Sequence, residues 1–247
     1  MSRSYSFVVL RSLYATLPLL LLGSTFAQAQ QAPENLTVLP KDWSREQVVN
    51  VMRNFTAALG VGCAYCHVEN ETGPLDFVSD ENEMKDLARA MMRITGDLNR
   101  RLPTDFGMPA AEVTRVQCIT CHRGVAEPKQ IGEILAKTSA EKGFAAARTQ
   151  YNELKSKYYG AQAYDFGENG LIATARPLVE SRSDEALQFL AMNLELFPQS
   201  APTYFMMAQA QVAKNDKAAA ISSLEKGLAI DPENGLARRT LNELKAQ

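Results

Sequence analysis

The chain has 247 residues, of which 46% are hydrophobic and 22% are charged, and its formal net charge is −2. This balance is typical of a globular protein and excludes a disordered chain. Basic residues are neither in excess nor clustered, so the charge pattern gives no support to nucleic acid binding. The length is sufficient for one or two domains.

The N-terminal segment has the pattern of a secretory signal peptide. Arg3 and Arg11 are basic, residues 13–22 form an apolar run, and residues 27–29 read A-Q-A, a small-x-small cleavage pattern. The apolar run is short for a membrane span. We therefore predict that residues 1–29 are removed on export to the periplasm or the exterior. An uncleaved N-terminal membrane anchor is the alternative.

The first predicted helix of the remaining chain begins after Ser44. Ser44 and Gln47 have the spacing of a capping box, and Gly60 is suited to end the helix. The apolar positions that share one face of this helix are Val48, Met52, Phe55 and Leu59. Met52 therefore lies on the apolar side of a helix that leads directly into the first cysteine motif, eleven residues before Cys63.

That motif is C-A-Y-C-H, at residues 63–67. C-x-x-C-H is the attachment signature of c-type haem, in which two thiols form thioethers with the porphyrin and the next histidine binds the iron. The motif predicts that Cys63 and Cys66 hold a haem covalently. His67 is then its proximal ligand.

A second helix is predicted to begin at Asp80, with Glu83 at the third helical position, and to end before Pro103. Its apolar stripe consists of Met84, Leu87, Met91, Ile94, Leu98 and Leu102. Met92 lies outside this stripe, on the side of Ala88 and Asn99. A loop then leads to the second cysteine motif.

The second motif is C-I-T-C-H, at residues 118–122, and it predicts covalent attachment through Cys118 and Cys121 with His122 as proximal ligand. The two motifs contain every cysteine and histidine of the chain. A tetrahedral zinc site or a pair of redox-active dithiols would use the four cysteines and leave both histidines unexplained. The sequence therefore predicts two c-type haems.

No histidine remains as a sixth iron ligand, so methionine is the natural candidate. Met52 is well placed for the first haem. For the second haem, the position on the apolar stripe favours Met91 over Met92, and Met84 and Met108 are less favoured.

Three stretches resemble the cytochrome c subunit of photosynthetic reaction centres: M-R-N-F-T-A-A-L-G-V-G-C-A-Y-C-H, A-R-A-M-M-R-I-T-G-D-L-N and C-I-T-C-H-R-G. The resemblance extends over about residues 36–128. In that family each haem motif follows a helix whose methionine is the sixth ligand, and the haems occur in pairs. The resemblance implies Met52 for the first haem and Met91 for the second. The photosynthetic subunit carries two such pairs, whereas this chain has one.

The rest of the chain has helical periodicity without further haem motifs. Residues 187–198 and 221–232 match at a spacing of 34 residues, with a proline closing each, and this period resembles the tetratricopeptide repeat. The predicted helices cover residues 130–136, 140–159, 168–180, 184–197, 201–214, 217–230 and 235–246. Such repeats bury their apolar faces by stacking on one another, and they either dock a partner or brace the haem region.

The predicted fold is all-α. A dihaem cytochrome c domain with long loops at residues 30–128 is followed by a helical connector at 129–165 and a tetratricopeptide-like repeat domain at 166–247. The predicted function is single-electron transfer between redox partner proteins, with a membrane electron-transfer complex or a reaction centre among the candidates. Arg123 is a candidate contact for a haem propionate. The alternatives are a dihaem peroxidase and a haem-based redox sensor or adaptor.

Overall fold

A computed structural model describes residues 32–70 and 73–246. The signal peptide predicted at residues 1–29 lies outside the described residues. Every regular element within them is helical, and the β-structure there is limited to an isolated antiparallel bridge between Val68 and Asp76. The all-α prediction is thereby confirmed. None of the helices in these ranges is sufficiently long and apolar to cross a bilayer.

Four helical elements carry the cysteine motifs and the segments before them. They are α1 (Arg45–Leu59), a 3-10 turn (Cys63–Tyr65), α2 (Glu83–Phe106) and α3 (Cys118–His122). The predicted start of α1 is confirmed, because Ser44 and Gln47 form the capping box and Gly60 ends the helix in the left-handed region.

The predicted boundaries of α2 were wrong at both ends. The N-cap is Asn82, whose side chain accepts a hydrogen bond from the Met84 N–H at 3.0 Å, while the carboxylate of Asp80 forms ion pairs instead. Pro103 lies inside the helix, which continues to Phe106 and ends at Gly107. Proline removes one backbone hydrogen bond and disfavours a helix interior, yet α2 continues for three residues beyond Pro103.

Seven further helices follow: α4 (Ile131–Lys142), α5 (Phe144–Tyr158), α6 (Glu168–Ala175), α7 (Ser183–Leu196), α8 (Ala201–Ala213), α9 (Lys217–Ile230) and α10 (Gly235–Ala246). A 3-10 turn, Arg176–Leu178, extends α6. The last four helices agree with prediction to within one residue. The break between helices that was predicted at residues 137–139 was misplaced. Helix α4 continues to Lys142, and Gly143, with a positive φ of 87°, ends it.

Consecutive helices from α6 to α10 pack against each other, and α4 packs on both α5 and α6. Their main core includes Leu135, Tyr151, Leu171, Phe189 and Leu190, all at most 2% exposed. By contrast, Ala58 and Val125 are the buried apolar residues among those described between 33 and 128. The apolar core of the chain therefore lies in α4–α10.

Candidate haem-binding site

The second cysteine motif is a short helix. Within α3, Cys118 and Cys121 are three residues apart, a spacing that places their side chains on the same side of the helix. Arg123 then ends the helix with a φ of 50°. A left-handed residue at this point turns the chain sharply after His122.

A backbone carbonyl orients the imidazole of His122. Its Nδ1 lies 3.0 Å from the carbonyl oxygen of Val125. Because a carbonyl oxygen only accepts, Nδ1 must carry the proton and donate, which leaves the lone pair of Nε2 for a metal ion. A histidine that binds iron or zinc through one ring nitrogen usually donates the N–H of the other ring nitrogen to a carbonyl or carboxylate.

The first motif positions its histidine differently. The 3-10 turn Cys63–Tyr65 leads to His67, whose backbone N–H donates to the Cys63 carbonyl at 3.1 Å. The Nδ1 of His67 is buried and has no hydrogen-bond partner among the described residues. The Phe77 ring stands edge-on to the imidazole at 5.0 Å between centroids. Packing, rather than a hydrogen bond, therefore holds this ring.

The surroundings of His67 favour the neutral form of its imidazole. Burial lowers the pKa of His67, and the nearby charge of Lys85 lowers it further, against a smaller opposing effect of Asp76. Neutral imidazole is the form that binds a metal ion. In the thiols, burial raises the pKa of Cys66 and of Cys118, each with a smaller contribution from the other cysteine of its pair.

The segment that carries Phe77 is fixed by hydrogen bonds from a lysine whose side chain is mostly buried. The side chain of Lys85 is 12% exposed, and its Nζ donates to the carbonyls of Phe77, Val78 and Ser79. At the start of the segment, the Asp76 N–H donates to the carbonyl of Val68, the residue after His67, at 2.9 Å. The Phe77 ring is thus tied to both α2 and the first motif.

Asp80 completes this arrangement. Its carboxylate lies 3.2 Å from Lys85 Nζ and 2.9 Å from Arg89 Nη2, and it accepts a hydrogen bond from Asn35 at 2.9 Å. These contacts, Arg89 first, hold the pKa of Asp80 well below its usual range. Sequence reasoning treated Asp80 as a helix cap and did not find this cluster, because no local pattern distinguishes the two roles.

The three candidate methionines lie in different surroundings. Met52 is half-buried on α1. Met91 is 41% exposed on an open apolar stripe of α2 that also carries Leu87, Ile94 and Leu98. Met92 is half-buried and lines a cavity of about 670 Å³ between α1, α2 and α3, together with Phe55, Asn99 and Cys118.

Many large apolar side chains around both motifs are exposed to solvent. Those at least 38% exposed between residues 65 and 119 are Tyr65, Phe77, Val78, Leu87, Met91, Ile94, Leu98, Phe106, Met108 and Ile119. Large apolar side chains left exposed beside one another on a globular protein mark a surface that contacts something else. Leu87, Met91, Ile94 and Leu98 share one face of α2, and Phe77 lies against His67, so these side chains fit a large apolar ring such as a porphyrin. The residues present therefore fit covalently bound haem.

The Arg123 side chain contacts both the motif that it follows, where its Nε donates to the Thr120 carbonyl at 3.4 Å, and the C-terminal helices. Its Nη1 donates to the Gln162 carbonyl at 3.2 Å, in the loop between α5 and α6. Gln162 itself has a positive φ of 60°. The second motif is therefore linked directly to the C-terminal helices.

The four cysteines are unpaired thiols. Within residues 32–70 and 73–246, no group of three or more cysteine, histidine, aspartate or glutamate side chains converges as a metal-binding cluster. The tetrahedral four-cysteine arrangement considered from sequence has no counterpart there. What the structure offers instead is two separate C-x-x-C-H sites, each with one histidine beside open apolar surface.

This arrangement, in an all-helical chain, defines a c-type cytochrome, a class that binds haem covalently through C-x-x-C-H. A family model described as the photosynthetic reaction centre cytochrome C subunit matches residues 19–210. The chain belongs to this family.

Three characterised proteins show the extent of the similarity. Cytochrome c-554 of Chloroflexus aurantiacus is 37% identical over 98 residues, which are 39% of this chain and 22% of that protein. The photosynthetic reaction center cytochrome c subunit of Rubrivivax gelatinosus is 30% identical over 106 residues, 37% of this chain and 28% of that subunit. The corresponding subunit of Roseobacter denitrificans is 32% identical over 130 residues, 51% of this chain and 33% of its own length. The chain thus spans a third or less of these relatives.

Proposed function

We propose that this protein is an exported dihaem cytochrome c that transfers single electrons. In this proposal Cys63 and Cys66 hold one haem and Cys118 and Cys121 hold the other. The observation that carries the proposal is the pair of C-x-x-C-H motifs, which contain every cysteine and histidine of the chain. Export by residues 1–29 would deliver the chain to the compartment where such haems are attached.

The axial ligands in this proposal are His67 with Met52 and His122 with Met91. The hydrogen bond from His122 Nδ1 to Val125 supports the role of His122. The location of Met91 within the exposed apolar stripe of α2 supports its role, because haem bound there would cover the stripe. Met92 is the alternative, since it lines the cavity beside Cys118.

Haem would supply an iron ion that gains or loses one electron. The chain's own residues determine how that change proceeds. A methionine sulfur is a weak donor that favours the reduced form and raises the reduction potential. If His67 and Met52 held one iron and His122 and Met91 the other, no coordination position would remain for a substrate. The exposed apolar side chains around the motifs would exclude water once haem covered them.

The C-terminal helices dock a redox partner or brace the haem region. Their succession of packed helices supports a repeat-like stacked architecture. The partners in this proposal are redox proteins, with a membrane electron-transfer complex as the leading class. The names of two relatives, which are reaction centre subunits, support a reaction centre as that complex.

Haem content and potentiometry test the proposal. An alkaline pyridine haemochrome assay on the pure protein should give two haems per chain, and a redox titration should resolve two one-electron steps. A ratio other than two would overturn the dihaem proposal. Capture of reaction-centre subunits from native membranes by the tagged protein would identify the partner.

Carbon monoxide distinguishes electron transfer from peroxidase activity. If both irons keep two axial side chains, the reduced protein should bind carbon monoxide slowly and incompletely. Rapid stoichiometric binding at one haem would favour the peroxidase instead. Partner affinity that depends on the redox state would favour the sensor or adaptor.

Substitution of adjacent methionines tests the second axial ligand. Met91→Ala should remove the methionine signature from the ferric spectrum of one haem and lower its potential, since axial ligands set haem potentials over a range of roughly 0.8 V. Met92→Ala, the matched control, should keep both properties. The reverse result would assign the ligand to Met92. Met52→Ala should affect the other haem in the same way.

A further inference from the structure

The two cysteine motifs are joined by direct contact between their main chains. Gly60 ends α1 three residues before Cys63, and Gly124 follows His122 by two residues. The Gly124 N–H donates to the carbonyl of Ala58 at 2.8 Å. The end of the helix that precedes the first motif therefore lies against the residues that follow the second.

No side chain fits at residue 60 in this crossing. A Cβ added to Gly60 would lie 2.1 Å from the carbonyl oxygen of Gly124 and 2.9 Å from its carbonyl carbon. Ordinary contact with a Cβ begins at 3.4 Å. Because the obstructing atoms belong to the main chain, they cannot rotate away. To restore ordinary contact, the Cβ and this oxygen would have to move apart by about 1.3 Å, the difference between 3.4 and 2.1 Å.

The segment around Gly124 is also held from its other side. Arg123 donates to the Gln162 carbonyl, and Val125 is 6% exposed and accepts the hydrogen bond from His122 Nδ1. Because the residues on both sides of Gly124 are held by hydrogen bonds, a displacement of Gly124 also moves His122.

We propose that Gly60 is a positioning residue that, by its contact with the main chain of Gly124, sets the distance and angle between the two haem-attachment motifs. This inference rests on the proposed function, in which both motifs carry haem. Electron transfer between two centres slows steeply as their separation grows. Glycine at residue 60 lets the two main chains touch and keeps the motifs at their closest approach, and any side chain there increases their separation.

Two glycines with the same backbone conformation provide the experiment. Gly60 has a φ of 68° and Gly107 has a φ of 63°, so alanine at either position is strained in the left-handed region. At Gly107 an added Cβ meets nothing within 4 Å. Gly107→Ala therefore controls for backbone strain, and Gly60→Ala adds the collision.

The readout is the coupling between the two haems, measured as the exciton couplet in the Soret circular dichroism of the holoprotein. Gly60→Ala should reduce or reshape the couplet and slow electron exchange between the haems, while each haem keeps its own absorption spectrum. Gly107→Ala should retain the couplet of the unsubstituted protein, although both variants lose thermal stability.

Haem content, measured first, separates the two proposals. A ratio other than two in the unsubstituted protein overturns the dihaem function. Two haems and an unchanged couplet in Gly60→Ala overturn the positioning role alone. If Gly60→Ala does not accumulate, Gly60→Asn with its control Gly107→Asn repeats the test, because asparagine adopts the left-handed region more readily. Loss of haem in both Gly60 variants, with both controls intact, assigns Gly60 to folding and also overturns the positioning role.

Discussion

The segment that carries the haem motifs and the C-terminal helices bury their apolar side chains in different ways. Phe189 and Leu190 in the C-terminal helices are 0% exposed, whereas Leu87 and Ile94 on α2 are 54% and 57% exposed. Burial of a large apolar side chain contributes about 1.5–3 kcal/mol. The C-terminal helices obtain this stabilisation from their own side chains. We infer that the haem-motif segment obtains it from covalently bound haem.

The two motif histidines also differ in the contacts that hold their imidazole rings. A hydrogen bond to the Val125 carbonyl holds His122, while packing against Phe77 holds His67. The first arrangement depends on three consecutive residues after the motif. The second depends on a segment that Lys85 ties to α2. Identical motifs therefore acquire different surroundings from the chain around them.

Removal of one haem should produce the largest effect and test the first comparison directly. In the double variant Cys118→Ala/Cys121→Ala we expect one haem per chain and loss of amide protection in α2 and α3, because their apolar surface is left uncovered. Helices α6–α9 should keep their protection, since their core does not include these residues. Hydrogen exchange followed by mass spectrometry measures both regions. Ile119→Ala, which keeps both thiols, is the control, and equal loss in the two regions would contradict the comparison.

Truncation of one apolar side chain in each region should have a smaller effect. Phe189→Ala should lower the free energy of unfolding by about 3–5 kcal/mol, with or without haem. Ile94→Ala should cost about 2–5 kcal/mol in the holoprotein, the range for a covered side chain, and far less in haem-free protein. Chemical denaturation of both forms measures this difference. An Ile94 effect that does not depend on haem would show that haem does not cover α2.

Acidification should produce the smallest effect and should be confined to the segment around Phe77. The Asp76 carboxylate accepts hydrogen bonds from the Val78 N–H at 2.7 Å and the Ser79 N–H at 2.9 Å, and these bonds, Ser79 first, lower the pKa of Asp76. Because this folded-state pKa is lowered, the stabilisation is present above the ordinary aspartate pKa of about 3.9 and is lost as the pH falls through the lowered value. We expect faster amide exchange at Val78 and Ser79 below about pH 4. Asp76→Asn should remove most of this pH dependence, and an Asp76→Asn variant with the full dependence would exclude Asp76 as its source.

Local patterns predicted most of the helices. The capping box at Ser44 and Gln47 marked the start of α1, and four C-terminal helices were placed to within a residue, because caps and apolar periodicity are properties of neighbouring residues. The start of α2 was misplaced because Asp80 and Asn82 are both suitable caps. The Asp80 carboxylate forms ion pairs with Arg89 and Lys85, and those contacts could not be detected from the sequence.

The sequence by itself determined the chemistry of the motifs and the class of protein. A C-x-x-C-H motif is complete within five residues, so its thiols and histidine can be read without a fold. The tertiary structure decided what surrounds each histidine and how the motifs meet. The Phe77 ring on His67, the Lys85 contacts and the crossing of Gly60 with Gly124 join residues that are distant in the chain. Such contacts depend on how the helices pack, and no local sequence pattern specifies them.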